Sequence, residues 1–492
     1  MQKSTALEII RTFTSDDSAR FEDFIKSPYF NKNSNVIRLF VLVKKYSPDY
    51  NSQELEKEKL WGKLFPDKPF NYGTMKNLIF ELKKLTAKYI TVHELESNKL
   101  EEEKILVRAL GIRNIPRFFI SKVHEIEKKY RFEKLTNLKI ETEDYLAFMF
   151  LIKYMKHAYL RVYDSKLARN EDLQAYTTLM ICSFIRTATS FYNNIMVQSL
   201  EINFQPEKNA LLSFVNILKE GAMDEILKAV NEYSTPAGKY INLCWLRVKA
   251  IMKDAVAEDF YEFRNAVYNE AGTLPALELK GFLSGVVNAA NMLNSPEINV
   301  SKERVDSLKL RMRRKILTHD DGRIYALELL QYFWSAGNIN DFAIIEKLCK
   351  DYVAKSNDVN KDNVLKCGEI FFKIRDEKYN QALELISIVT PETFMMKVHL
   401  RMLKVRCFFK TGEYESFLYE KDSLNHFLKS NKSLSEKNIN QLKDFFEKVN
   451  RLFRLKRNFD DIEFKILRDE LLSNKNYPVW MRDEVLKSWK TR

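Results

Sequence analysis

The chain has 492 residues, 45% of them hydrophobic and 30% charged, with a net charge of +13. This apolar content excludes a disordered chain. Only 12 glycines and 11 prolines exclude a loop-rich fold, so helix is expected, because Leu, Lys and Glu lose little rotamer freedom there.

The N-terminus, Met1–Phe13, has no apolar run of signal-peptide length. The longest apolar run, Leu146–Ile152, is far short of the ~18 residues needed to cross a membrane. The five cysteines (Cys182, Cys244, Cys349, Cys367, Cys407) form no C-x-x-C pair. They read as reduced, buried thiols, and the expected location is the cytoplasm.

A first helix is predicted over Asp16–Lys26. It stops where Pro28 lacks an amide hydrogen and disfavours helix at Ser27. Asn33 or Ser34 caps the next helix, whose apolar face holds Val36, Leu39, Phe40 and Val43. Tyr29 and Phe30 fall at the reversal between the two helices. Phe65, Phe70 and Tyr72 repeat the device around Pro66 and Pro69. Both corners are expected to pack, and loss of Phe30 or Phe70 would cost about 3–5 kcal/mol if the ring is fully buried. A stripe of Met75, Leu78, Ile79, Leu82, Leu85 and Tyr89 marks a long following helix. Further helices are expected over 99–111, 116–134, 142–163 and 171–200, with Pro116 at a position where its missing donor costs nothing.

From residue 201 a repeat sets in. Breaks fall near Gly221, Ala255, Ser295, Gly337, Glu377 and Gly412, at steps of 34, 40, 42, 40 and 35 residues. Helical hairpins at such a period make a solenoid, because each unit must bury its apolar face on a neighbour. The expected fold class is all-α: an N-terminal helical domain (1–98), a long-helix region (99–205), hairpin repeats (206–435) forming a right-handed solenoid, and capping helices (436–492). The last of these starts beside Pro478 and carries Trp480.

Two units, around Tyr379, Ala382 and Leu383 and around Gly412, Tyr414 and Phe417, resemble tetratricopeptide repeats. Residues 320–430, including Gly337, carry this resemblance, which is to a divergent tetratricopeptide-like helical repeat rather than to a regular member of that group. It implies that the alanine permits close helix approach and that the tyrosine packs at the turn. The stretch from Phe24 to Leu82 resembles uncharacterised bacterial helical proteins, a resemblance that implies no activity.

The sequence contains no phosphate-cradling G-x-x-x-x-G-K-[ST] or G-x-G-x-x-G and no G-x-S-x-G elbow. The six histidines are scattered, none with a second at i+3 or i+4, so no metal or cofactor is expected. His319 and Asp320 could form half of a metal site, but Asp320 or Asp321 fits better as the cap of a helix starting near Arg323. Gly281 and Gly285 read as a close helix-packing pair.

Two basic helical faces remain. Arg304, Arg311 and Lys315 share a column with Arg314 nearby, and Lys448, Arg451 and Arg454 share another. The charge is spread thinly: +8 over 1–200, −4 over 201–300 and +9 over 301–492. The leading expectation is a non-enzymatic scaffold whose repeat groove binds a protein or peptide. The alternatives are a nucleic-acid binder using the basic faces and an enzyme without a recognisable motif. The oligomeric state is left open.

Overall fold

The computed structural model describes residues 1–163, 170–201, 209–319, 322–353, 361–391, 393–430 and 436–487. Well over half of the described residues are helical, and none of them lies in a strand. The chain forms two compact units, Met1–Val123 and His124–Arg492.

The first unit holds α1 (Thr5–Ile10), α2 (Ser15–Lys26), α3 (Ser34–Lys44), α4 (Lys57–Leu64), α5 (Tyr72–Ser97), α6 (Lys99–Ile112) and the start of α7 (Pro116–Lys129). Helices α1 to α4 all pack on α5. Phe21, Ile25, Phe40, Leu60, Trp61, Leu82 and Tyr89 share one core. The helix starts are capped as their sequences predict. Thr14 and Asp17 exchange bonds in a capping box. Asn33 accepts the Asn35 N–H at the head of α3. Each cap satisfies an amide that the helix leaves unpaired.

The second unit continues with α8 (Leu135–Leu138), α9 (Thr142–Tyr163), α10 (Asn170–Glu201), α11 (Ala210–Ile217), α12 (Met223–Tyr233), α13 (Thr235–Lys249), α14 (Ala257–Asn269), α15 (Ala276–Leu293) and α16 (Val300–Arg313). Then come α17 (Ala326–Asn338), α18 (Phe342–Leu348), α19 (Lys361–Arg375), α20 (Tyr379–Ile388) and α21 (Phe394–Thr411). The last are α22 (Tyr414–Ser430), α23 (Glu436–Arg457), α24 (Asp461–Ser473) and α25 (Val479–Leu486). From α12 onward each helix packs on the next, and α13 also meets α15, α17 meets α19, and α21 meets α23. The long pair α9 and α10 lies against α13 and α15 through α10.

The repeat residues sit at these junctions. A Cβ on Gly337 would lie 2.1 Å from Cε1 of Phe371, so any larger residue in α17 would have to displace this buried ring of α19. Ala382 is fully buried in α20. Gly412 ends α21 with φ 85°, where L side chains are strained. Tyr379 and Tyr414 each open a helix. The Tyr414 hydroxyl donates to Asn450 Oδ1 at 3.2 Å, tying α22 to α23. Of the pair Gly281 and Gly285, only Gly285 is closely packed: a Cβ there would lie 3.0 Å from Arg247 Cδ, whereas Gly281 has open space beside it. The helix expected near Arg323 starts at Ala326 instead, after Tyr325. Asp320 and Asp321, the expected cap, lie outside the described residues.

Candidate protein-docking surfaces

The aromatic corners divide. Phe30 stacks on Phe24 with centroids 4.0 Å apart, and Phe65 packs on Trp61 at 4.5 Å. Tyr29 instead is 87% exposed, contrary to the expectation that it faces the gap between the helices. Phe70 is 39% exposed and meets Trp61 only edge-on, while Tyr72 is exposed with Lys57 over its ring at 4.6 Å. At Pro28 the Phe30 and Asn31 N–H groups both donate to the Ser27 carbonyl, a turn that sends Phe30 toward Phe24 and Tyr29 outward. Phe70 therefore does not reach the full burial on which a loss of about 3–5 kcal/mol depends.

The basic columns do not stand as free faces. Arg311 is 5% exposed, and its guanidinium reaches Ser284 Oγ at 2.7 Å, Tyr332 Oη at 3.1 Å, Glu328 Oε1 at 3.2 Å and the Lys280 carbonyl at 3.2 Å. Arg304 is half-buried, and Nη1 donates to Ser335 Oγ at 3.1 Å. Helix α16 ends at Arg313, and Lys315 turns away with φ 57°, so the column stops before it. On α23, Lys448 lies 2.5 Å from Glu470, and Arg451 pairs with both Glu463 and Glu470. Arg314, Lys315 and Arg454 are the exposed members of the seven.

Near Arg304, Trp334 of α17 stacks directly on His399 of α21, with centroids 4.3 Å apart and planes at 8°. The surrounding protein, and then the Arg304 cation, hold the His399 pKa down to about 3. His399 is thus neutral in the folded protein, and the unfolded chain takes up its proton below about pH 6.5. Stability from this group is present above that pH and is lost as the pH falls through it. The expected loss between pH 7 and pH 5 is about 2 kcal/mol, at most. Urea unfolding at both pH values checks this: His399→Phe should lose less stability than the parent over the same interval.

The turn between α24 and α25 closes on the α15–α16 loop through polar bonds. The Lys475 N–H donates to the Pro296 carbonyl at 2.8 Å, and Asn476 Nδ2 to the Ser295 carbonyl at 3.0 Å. The Val300 N–H returns a bond to Asn476 Oδ1 at 3.2 Å.

In the first unit a pocket of about 470 Å³ is lined by Met1, Lys3, Glu56, Lys57, Glu58 and Lys76. A pocket of about 180 Å³ lies between Lys219, Trp245, Lys249, Asp254 and Asp259, smaller than the usual small-molecule site. Its cations are already matched by its acids, Lys219 by Asp254 and Lys249 by Asp259. His319 Nε2 lies 3.3 Å from Glu328 Oε2. Among the described residues no group of His, Cys, Asp or Glu could hold a metal ion. No described helix is long and apolar enough to cross a membrane.

One surface escaped the sequence reading. Along α10, Leu173, Met180, Phe184 and Phe191 are 40%, 41%, 53% and 59% exposed. At ~100° per residue these four positions fall within about 20° of one line, which runs about 27 Å along the helix. From Leu173 to Leu200 the single charged residue is Arg186. That charge points inward, with Nε 2.6 Å from Tyr240 Oη and Nη2 3.1 Å from Glu143. The Phe184 ring is steadied by Phe214 of α11 at 5.1 Å. Apolar side chains, two of them aromatic and one Met, on a face free of charge have the composition of an interface core. Comparison with family models, characterised proteins and solved structures gives no match.

Proposed function

We propose that this protein is a non-enzymatic interaction scaffold, a solenoid of divergent tetratricopeptide-like hairpins that holds a protein partner. The observation that carries the reading is the charge-free apolar line on α10, since a surface of this kind gains free energy only by leaving water. Helix-by-helix packing from α12 onward, with Gly337, Ala382 and Gly412 at the close contacts, supports the repeat architecture. Five free cysteines, four of them buried, suit a reducing cytoplasm. A nucleic-acid role draws little support, because Arg311, Lys448 and Arg451 are each paired with a carboxylate of this chain.

The test is co-purification at low salt from nuclease-treated extract, with the parent and with Phe191→Lys. A protein retained by the parent and lost with the variant is the expected result. If material is retained only when the nuclease is omitted, or if parent and variant retain the same proteins, the reading fails.

A further inference from the structure

The apolar members of the exposed line on α10, which Gln198 continues beyond Phe191, read the same in both directions. Its members, Leu173, Met180, Phe184 and Phe191, are separated by seven, four and seven residues. Reversing the helix about Cys182 exchanges Leu173 with Phe191 and Met180 with Phe184. Cys182 itself is buried on the opposite side, so it takes no part in the surface. We infer that α10 pairs antiparallel with α10 of a second copy of this chain, Leu173 of each facing Phe191 of the other and Met180 facing Phe184.

This inference rests on reading α10 as a docking face and names its partner. Three features favour a second copy over another protein. The spacing is its own complement under a two-fold axis, which a closed dimer requires. The pairs join a smaller aliphatic side chain or a thioether to a ring, so bulk meets a gap rather than bulk. The four side chains carry no charge, and the carboxylate of Glu143, which accepts from Thr187 Oγ1, is balanced by Arg186 at 3.1 Å, so self-pairing opposes no unpaired like charges.

The area sets the strength. Rings a little over half exposed offer on the order of 100 Å² each, and all four side chains about 350 Å² per copy. A pair burying about 700 Å² lies below the ~1,200 Å² of stable interfaces, so the dimer should be weak and concentration-dependent.

Sedimentation velocity on the full chain, from about 1 to about 200 µM, should show reversible dimerisation of the parent. Leu173→Glu and Phe191→Lys should each raise the dissociation constant at least about tenfold while leaving the thermal melt unchanged. An equimolar mixture of the two variants should recover a dimer, because glutamate at 173 then faces lysine at 191 while the other end keeps Phe191 against Leu173. A parent that stays monomeric throughout overturns the inference, as does a mixture no tighter than either variant alone. If the parent is monomeric and Phe191→Lys still abolishes capture of another protein, self-pairing fails and the docking face stands.

Discussion

Replacing Arg311 with alanine is expected to lower stability by about 3–5 kcal/mol, the range seen when one member of a buried charged network is removed. Its four bonds join α15, through Lys280 and Ser284, to α17, through Glu328 and Tyr332. Without it the Glu328 carboxylate loses a buried cation, and Ser284 loses its charged donor. Tyr332 keeps its bond to Glu328 Oε1 at 2.9 Å, so the damage spreads along α15–α17 rather than unfolding one side chain. Arg314→Ala is the comparison, since Arg314 is exposed at the end of the same helix. Surface changes of that kind stay within about 0.5 kcal/mol. Urea unfolding of both variants decides the matter. Equal losses would mean that Arg311 contributes nothing beyond an ordinary surface charge.

The contrast between these two arginines marks the limit of what the sequence disclosed. Periodicity and caps act within a few residues, so they were readable. The helix expected over 142–163 runs Thr142–Tyr163, and that over 171–200 runs Asn170–Glu201. Pro116 opens α7, and Asn33 caps α3, for the local reasons that the residues themselves supply. Which cations are consumed depends on partners far along the chain. Arg311 meets Ser284 from 27 residues away, and Lys410 meets Glu484 from 74. No spacing rule within one helix reports such a pairing.

The α10 line shows the same limit from the other side. That Arg186 is its single charge from Leu173 to Leu200 was visible, but a helix whose exposed side is apolar and whose remaining residues are mostly Ser, Thr and Asn gives periodicity little to grip. Leu179, Cys182 and Ile185 turned inward and Met180 and Phe184 outward only once α9 and α13 had taken their sides. The aromatic corners failed for a related reason. Tyr29 and Phe30 are adjacent, and a tight turn sends adjacent side chains in different directions.

The C-terminal helix gives the other large expected effect: Trp480→Ala should cost about 3–5 kcal/mol, the range for truncating a buried aromatic. Trp480 is 5% exposed and touches Phe409 at 5.6 Å and Phe445 at 6.5 Å. Arg406 lies 5.8 Å from its ring, with its pKa pushed down by burial to about 10. Losing the indole therefore opens a cavity and leaves a buried guanidinium without its aromatic neighbour. One turn on, Glu484 accepts from Lys410 at 2.6 Å and lies 3.5 Å from Lys456, so polar bonds hold the same helix down. These bonds do not replace the indole. Trp480 shares its core with Phe409, Phe445 and Phe453, so the helices that lose packing with the indole are α21, α23 and α25. The damage should then be local before it is global. Native-state hydrogen exchange of Trp480→Ala should show protection lost first across α21, α23 and α25 while α13–α17 keep theirs. A uniform loss of protection across the second unit would mean that its helices unfold as one cooperative block and that α25 is not a separable cap.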